Sequence, residues 1–219
     1  MGLERLGADW VPLVETALGR LLEDGAARLL DSPSGQSLGP RLSAYFDETV
    51  EWNRRIDLTA ARSAEELVDL MLADAAIIAG ATANCRTLVD VGSGVGAPGL
   101  VLSMLMPGTT VTLVEPQNKR VAFLRSVIGK LGLTNVKVDR ARSDRVPDSS
   151  CDTAVSRATL PPDAWLAEGT RIARREVWVL LAGDAPPVSP SLRIDLDVLY
   201  EWPLTGAKRR GARYTTAST

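Results

Sequence analysis

The segment that most constrains this chain is Leu88–Gly99, LVDVGSGVGAPG. The apolar run Thr87-Leu88-Val89 leads through Asp90 into glycines at 92, 94, 96 and 99, and an apolar helical pattern begins directly after them. That order predicts a strand, a glycine turn and a helix start. Glycine lets the chain reverse sharply and lets a ligand touch bare backbone, while the helix beyond offers unpaired N–H groups to an anionic group. The result is a nucleotide-type cradle, and two fingerprints overlap in it. Gly94-Val95-Gly96-Ala97-Pro98-Gly99 fits the dinucleotide GxGxxG, and Asp90-Val91-Gly92-Ser93-Gly94-Val95-Gly96 fits the acidic-x-GxGxG of methyltransferases that use S-adenosylmethionine (SAM). The second fits better, because a carboxylate at the strand end suits a ligand carrying an ammonium and a sulfonium and repels pyrophosphate.

The 219 residues, 45% hydrophobic and 24% charged, suit one ordinary soluble globular domain with an appended helical part. No apolar run approaches the roughly 18 residues of a spanning helix, and MGLERLGADW lacks the basic start and apolar centre of a signal peptide, so the expectation is a cytoplasmic protein with no membrane partner. Cys85 and Cys151 lie far apart with no CxxC, and the chain has no histidine. A metal site and a disulfide framework are therefore not expected, and Ser-His-Asp, Cys-His and histidine general-base chemistry are excluded together. Net charge is only −2, but residues 1–84 hold 14 acids and 7 bases whereas residues 85–219 hold 13 acids and 18 bases. The half that carries the cradle is the one fit to meet a polyanion, although any single cluster reads equally well as solvated surface.

Before the cradle the pattern is helical. Leu6, Trp10, Leu13, Val14, Ala17, Leu18, Leu21 and Leu22 recur at three- and four-residue steps, Asp31–Ser37 is turn-rich, and Leu42, Tyr45, Phe46 and Val50 mark a second helix ending near Trp52-Asn53. Ser63 with Glu66 forms a capping box that opens a third helix through Leu67, Leu70, Met71 and Ile78. Beyond Asn84 strands and helices alternate, which calls for a parallel sheet covered on both faces. The expected strands are 87–91, 110–115, 136–139, 153–156 and 177–181, with helices over 118–131 and 162–174, and Pro98 in the first turn of the helix after the cradle. Stretches 193–200 and 213–217 predict an antiparallel hairpin closing the sheet. The expected organisation is a helical region, 1–84, and a Rossmann-like α/β methyltransferase sheet, 85–219, forming one compact unit.

Glu115 ends the second strand about 20 residues past the glycines, where an acid bonds the ribose hydroxyls of an adenosine cofactor; a surface carboxylate or a helix cap is the alternative. Asp144, in the loop after the third strand, is placed to read adenine; a plain loop acid beside Arg142 and Arg145 is the equal alternative. Arg157, at the end of the fourth strand, either anchors a cofactor or RNA phosphate or else caps a helix or pairs with Asp163. The Asn/Asp-Pro-Pro-aromatic turn of amine methylation is missing, and Cys151 precedes the fourth strand on the wrong side of the sheet for carbon methylation of a pyrimidine, so both cysteines read as structural. An NAD enzyme would also use an acid like Glu115; Asp90 and the missing hydride-handling residues favour SAM.

The ordered series LSAYFDETVEWNRRIDLTA, LVDVGSGVGAPG, TLVEPQNKRVAFLRSV, LGLTNVKV and DTAVSRA resembles the RsmG (GidB) family of small-subunit ribosomal-RNA guanine-N7 methyltransferases over about Leu42–Ala158. The resemblance implies a helical N-terminal part packed on a SAM-binding sheet and a ribosomal-RNA or small-subunit partner. It implies cofactor contacts at Gly92 and Ala97, at Glu115 for the ribose, at Ser143 and Asp144 near adenine, and Arg157 beside the methyl-transfer site. Asp90 and the glycines, Gly94 and Gly96 among them, would hold the methionine end. Trp52, Asn53, Leu58 and Thr59 match a block of the family, with Asp57 replacing its Asn. The chain departs at Leu70-Met71, where the family has Arg-His, and at Ala182, where it has Lys; Asp74 is kept. Guanine N7 carries a free lone pair and no proton, so its methylation needs alignment and desolvation but no general base. The basic run 208–213 either compensates for the lost cations or is a solvated loop. The expected activity is SAM-dependent guanine-N7 methylation of 16S ribosomal RNA; the alternatives are SAM-dependent methylation of another RNA or a small molecule, and SAM or RNA binding without turnover.

Overall fold

A computed structural model of the chain describes residues 3–21, 38–82 and 84–216. The expected end of the first helix at Leu22, the loop Asp31–Ser37 and the last residue of the closing segment, Ala217, lie outside the described residues. Three helices come first, α1 (Trp10–Leu21), α2 (Leu38–Asn53) and α3 (Ala64–Ala81). They are followed by β1 (Thr87–Val91), α4 (Gly99–Leu105), β2 (Thr110–Val114), α5 (Asn118–Leu131), β3 (Val136–Asp139) and β4 (Cys151–Ser156). The chain then forms α6 (Pro162–Ile172), β5 (Ala173–Leu181), β6 (Leu192–Glu201) and β7 (Lys208–Thr216).

The sheet has seven strands in the order β3-β2-β1-β4-β5-β7-β6. Strands β1 to β5 run parallel, and β7 pairs antiparallel with both β5 and β6. The chain moves outward from β1 through β2 to β3 and then crosses back to β4, so the order reverses at β1/β4 and a crevice opens at the carboxyl ends of those strands. Alternation along β1 sends Leu88 to one hydrophobic layer and Val89 and Val91 to the other. The first layer gathers Trp10, Phe46, Met71, Leu100, Phe123 and Trp178, so α1 to α5 share one core with the sheet. The second, smaller layer lies under α6, around Trp165, Leu166, Val177 and Val179.

Helix α3 is buried on nearly every side, through Leu67, Val68, Met71, Leu72, Ala75 and Ile78. Ser63 caps it as expected, its Oγ accepting from Glu66 N–H at 3.2 Å, while the Glu66 carboxylate bonds Arg62 N–H in place of the N-cap. Asp69, also buried, accepts from Leu204 N–H at 3.1 Å and from Thr205 N–H and Oγ1 at 2.9 and 2.8 Å, which ties the turn between β6 and β7 to α3.

Several boundaries differ from expectation. Pro98 precedes the helix rather than lying in its first turn, because Gly99 is the first helical residue. Helix α6 stops at Ile172, two residues short of expectation, and β5 starts at Ala173 because Ala173 pairs with Cys151 and Glu176 with Thr153 and Thr215. Cys151 is itself the first residue of β4, at the amino end of the strand, and burial pushes its thiol up to about 12, so it is no nucleophile. The basic run 208–213 is no solvated loop but strand β7, with Arg210 paired to Asp197 and Arg213 to Asp195. Among the described residues no helix is long and apolar enough to cross a membrane.

Candidate active site

At the carboxyl edge of β1 the chain turns back over β2. Gly92 N–H and Ser93 N–H both donate to the Val114 carbonyl, at 2.8 and 3.2 Å, and Ser93 Oγ donates to Asp90 O at 2.9 Å. Gly92 has φ +72°, and a Cβ there would run into the Thr159 side chain; no other residue fits. Glu115, 2% exposed, holds the turn from below: Oε2 accepts from Gly94 N–H at 2.9 Å and Oε1 from Gln117 N–H at 2.8 Å. Each oxygen keeps a second lone pair, so the carboxylate fits a pair of ribose hydroxyls while holding the loop.

Asp90 is 1% exposed, and its Oδ2 accepts from Gly99 N–H at 3.0 Å, the first donor of α4. Burial raises its carboxyl to about 6, opposed by the Gly99 hydrogen bond and by Arg157. The structure therefore sets Asp90 beneath the glycine loop, tied to its backbone, rather than in the wall of a cavity. Tyr45, a member of the apolar face of α2 on sequence, donates its phenol to the Val95 carbonyl, so the N-terminal helices hold the loop as well.

Beside the turn lies a cavity of about 370 Å³ lined by Val91, Gly92, Val114, Pro116, Ala141, Arg142, Ser143, Asp144, Thr159 and Leu160. Expected residues Gly92, Ser143 and Asp144 meet here, and Glu115 lies just behind the lining residue Pro116. Gly94, Gly96 and Ala97 belong to the adjoining loop rather than to the lining. The Ser143–Asp144 turn is anchored by a residue sequence reasoning missed, Arg171 of α6. Its guanidinium donates to Ser143 O at 2.9 Å and Val146 O at 2.7 Å and pairs with Glu168 and Asp148. These bonds raise Arg171 and hold Glu168 below the ordinary carboxylate range. The Glu168–Arg171 i,i+3 spacing was the available signal. Thr159, also missed, stands over Gly92 and donates to Val91 O at 3.1 Å.

Arg157 turns the other way. Its guanidinium donates to the Leu70 carbonyl and reaches Asp74 Oδ2 at 3.3 Å; Asp163 is not its partner. Tyr200 of β6 donates to the other oxygen, Asp74 Oδ1, at 2.5 Å, and burial beside Asp74 raises the phenol so that it stays a donor. A second cavity of about 260 Å³ opens here, with Leu70, Asp74, Arg157, Ala158, Leu180, Leu181, Ala182, Trp202 and Arg209 around it. Both substituted positions of this side, Leu70 and Ala182, are in its wall, whereas Met71 is fully buried beneath. Trp52-Asn53 and Leu58-Thr59 do not meet either cavity: Asn53 Oδ1 accepts from Leu58 and Thr59 N–H at 2.9 and 3.0 Å and closes the loop after α2.

Residues 39–186 match the profile of the GidB family, described as rRNA small subunit methyltransferase G. The chain belongs to this family. A ribosomal RNA small subunit methyltransferase G of Anaeromyxobacter dehalogenans is 34% identical over 212 residues, covering 90% of this chain and 92% of that protein. Its namesakes in Myxococcus xanthus and Halorhodospira halophila are 33% and 39% identical, over 64% and 65% of this chain and 66% and 65% of their own lengths, slightly under two thirds. Among solved structures, a point mutant of MtNAS in complex with S-adenosylmethionine aligns with a TM-score of 0.54 at 16% identity over 97% of this chain and 76% of that one. A SAM-dependent methyltransferase from Aquifex aeolicus gives 0.50 at 19% over 68% and 92%. These likenesses are of fold, the Rossmann-like sheet of SAM-dependent methyltransferases, and the GidB match spans β1 to β5 of it.

Proposed function

We propose that this chain is a SAM-dependent methyltransferase of the GidB family that methylates guanine N7 in the RNA of the small ribosomal subunit, in the cytoplasm, with residues 1–84 and 85–219 acting as one unit. The observation that carries the reading is a family match that includes a complete cofactor cradle: a glycine turn that a Cβ would block, a buried Glu115 with lone pairs to spare, and an adjoining cavity sized for a nucleoside.

SAM, when bound, supplies an electrophilic sulfonium methyl: the N7 lone pair forms the new N–C bond, the C–S pair stays on sulfur, and the positive charge passes to the purine. Glu115 holds the ribose, Ser143 and Asp144 meet the adenine, and Arg171 keeps that turn in place. Gly92, Gly94, Gly96 and Ala97 shape the loop for the methionine end, with Asp90 acting on it through the Gly99 bond and its negative field. No residue needs to move a proton, because N7 carries none, and a chain without histidine is no obstacle. Arg157, held on Asp74 and the Leu70 carbonyl in the wall of the second cavity, orients the incoming nucleotide in this reading.

Mass spectrometry of ribosomal-RNA nucleosides from cells with and without this protein tests the reading; loss of one 7-methylguanosine from small-subunit RNA is the expected result. A methyltransferase of another substrate is the second reading. It is favoured by Leu70 and Ala182, uncharged residues in the wall of the second cavity where the sequence resemblance implies cations, and it predicts an unchanged 7-methylguanosine level.

A further inference from the structure

The two cavities flank one short segment at the end of β4. Thr159 and Leu160 line the nucleoside-sized cavity, and Arg157 and Ala158 line the other. Between them Ala158 sits at φ +54°, a left-handed conformation that costs a non-glycine residue about 1 kcal/mol or more and that collects at functional edges. A group held in the second cavity is therefore divided from the cofactor side by the segment Arg157–Leu160.

The lining of that second cavity is unlike a phosphate site. Leu70, Leu180, Leu181 and Ala182 make it apolar, and the charge of its carboxylate is offset by Arg157, with Asp74 accepting from Arg157 on one oxygen and from Tyr200 on the other. About 260 Å³ is below the roughly 300 Å³ at which sites for drug-sized ligands begin, and suits a single flat ring system. One cation there is not spent on a carboxylate. Arg210 and Arg213 pair with Asp197 and Asp195, but Arg209 makes no ion pair among the described residues; its Cζ lies 3.8 Å from the centre of the Trp202 ring, and its hydrogen bond goes to the Lys208 carbonyl. Trp202 thus supports the guanidinium in the wall of the cavity. The indole Nε1–H of Trp202 is enclosed and has no acceptor among the described residues, an orphan donor of the kind a ligand oxygen satisfies.

We propose that this cavity receives the purine to be methylated, stacked on the Arg209 guanidinium that Trp202 supports, so that Trp202 is a specificity-determining residue of the substrate site; the assignment rests on the methyltransferase reading above. Stacking is the contact the chemistry requires. An arginine that meets guanine edge-on bonds O6 and N7 and covers the lone pair that must attack, whereas a guanidinium on the ring face leaves N7 bare. The product base carries a positive charge and is repelled by the same guanidinium, so the stack holds substrate more tightly than product. In this chain the Arg209–Trp202 pair thus does the work on a side where Leu70 and Ala182 offer no charge.

Two measurements on the full-length protein test this. With S-adenosylhomocysteine bound to prevent turnover, guanosine 5′-monophosphate should quench tryptophan fluorescence in the native protein and not in W202F, and 7-methylguanosine 5′-monophosphate should quench less. In steady state on unmethylated small subunits, W202L should lower kcat/KM by roughly ten-fold, within the range of one base stack, with SAM affinity unchanged, and W202F should restore most of the loss. If the wild type methylates small subunits while guanosine 5′-monophosphate gives no Trp202-dependent quench and W202L is silent, the purine is not held here and the proposal falls while the functional reading stands. Quenching that depends on Trp202 in a protein that methylates no small subunit would support the slot and overturn the functional reading.

Discussion

The two cavities at the carboxyl edge of the sheet are built by different means. The nucleoside-sized one is made largely from backbone: glycine N–H groups fixed by Val114 and Glu115, and a turn whose carbonyls are held by Arg171. Its neighbour is made from side chains, with Arg157, Asp74 and Tyr200 linked across β4, α3 and β6, and Arg209 on Trp202. A backbone cradle tolerates few changes, because each glycine and each buried acceptor is fixed by geometry. A side-chain wall can exchange cations for aromatics and keep its outline.

Substitutions that separate the two sides sharpen the contrast. The largest effect is expected at Glu115. E115A strands the Gly94 and Gln117 N–H groups, each at a cost of about 1–3 kcal/mol, and removes the carboxylate proposed to hold the ribose, so calorimetry should detect no SAM binding; retained micromolar binding would mean the turn does not depend on this carboxylate. Next comes D74A, which leaves Arg157 and Tyr200 without their shared partner. Breaking a largely buried pair costs about 3 kcal/mol, less here because the Arg157 side chain is 23% exposed. Denaturant melts should show that loss while SAM affinity stays near native, the reverse of the Glu115 pattern.

Asp90 gives a pH signature. Its folded-state carboxyl, raised from 3.8 to about 6, favours the protonated form, so its stabilising contribution is complete below pH 4 and is lost as pH rises through 6. D90N removes the titration. The stability of the native protein relative to D90N should therefore fall between pH 4 and pH 7, by up to about 2–3 kcal/mol; parallel urea-stability curves would show that Asp90 titrates normally. The smallest effect belongs to the outer hairpin, where the half-exposed, bidentate Arg210–Asp197 pair should contribute little, so R210A should melt close to the native protein and leave SAM affinity and turnover unaltered.

The cradle was legible because its geometry is written locally. Thr87–Val91, the turn glycines and Glu115 lie in one continuous stretch, and the helix that follows closes at Gly132, φ +61°, as the sequence pattern requires. The second cavity was not legible for the opposite reason. Arg157 lies 83 residues from Asp74, and Tyr200 lies 126 residues from it, separations over which no periodicity speaks. The start of β5 was misread because Ala173-Arg174-Arg175-Glu176 has no strand propensity of its own and is extended by pairing on both sides, with β4 and β7. Likewise 208–213 looked like a free basic tail until pairing with β6 set Arg210 and Arg213 against Asp197 and Asp195. Asp90 lies under the glycine turn, and its bond to Gly99 makes it a support for the loop.

The most direct test is to incubate the purified protein with methyl-labelled SAM and small ribosomal subunits from cells lacking it, then digest the RNA and identify the labelled nucleoside. The account predicts label in a single 7-methylguanosine, lost in E115A. Label in another nucleoside, or none from a protein that binds SAM, would contradict it.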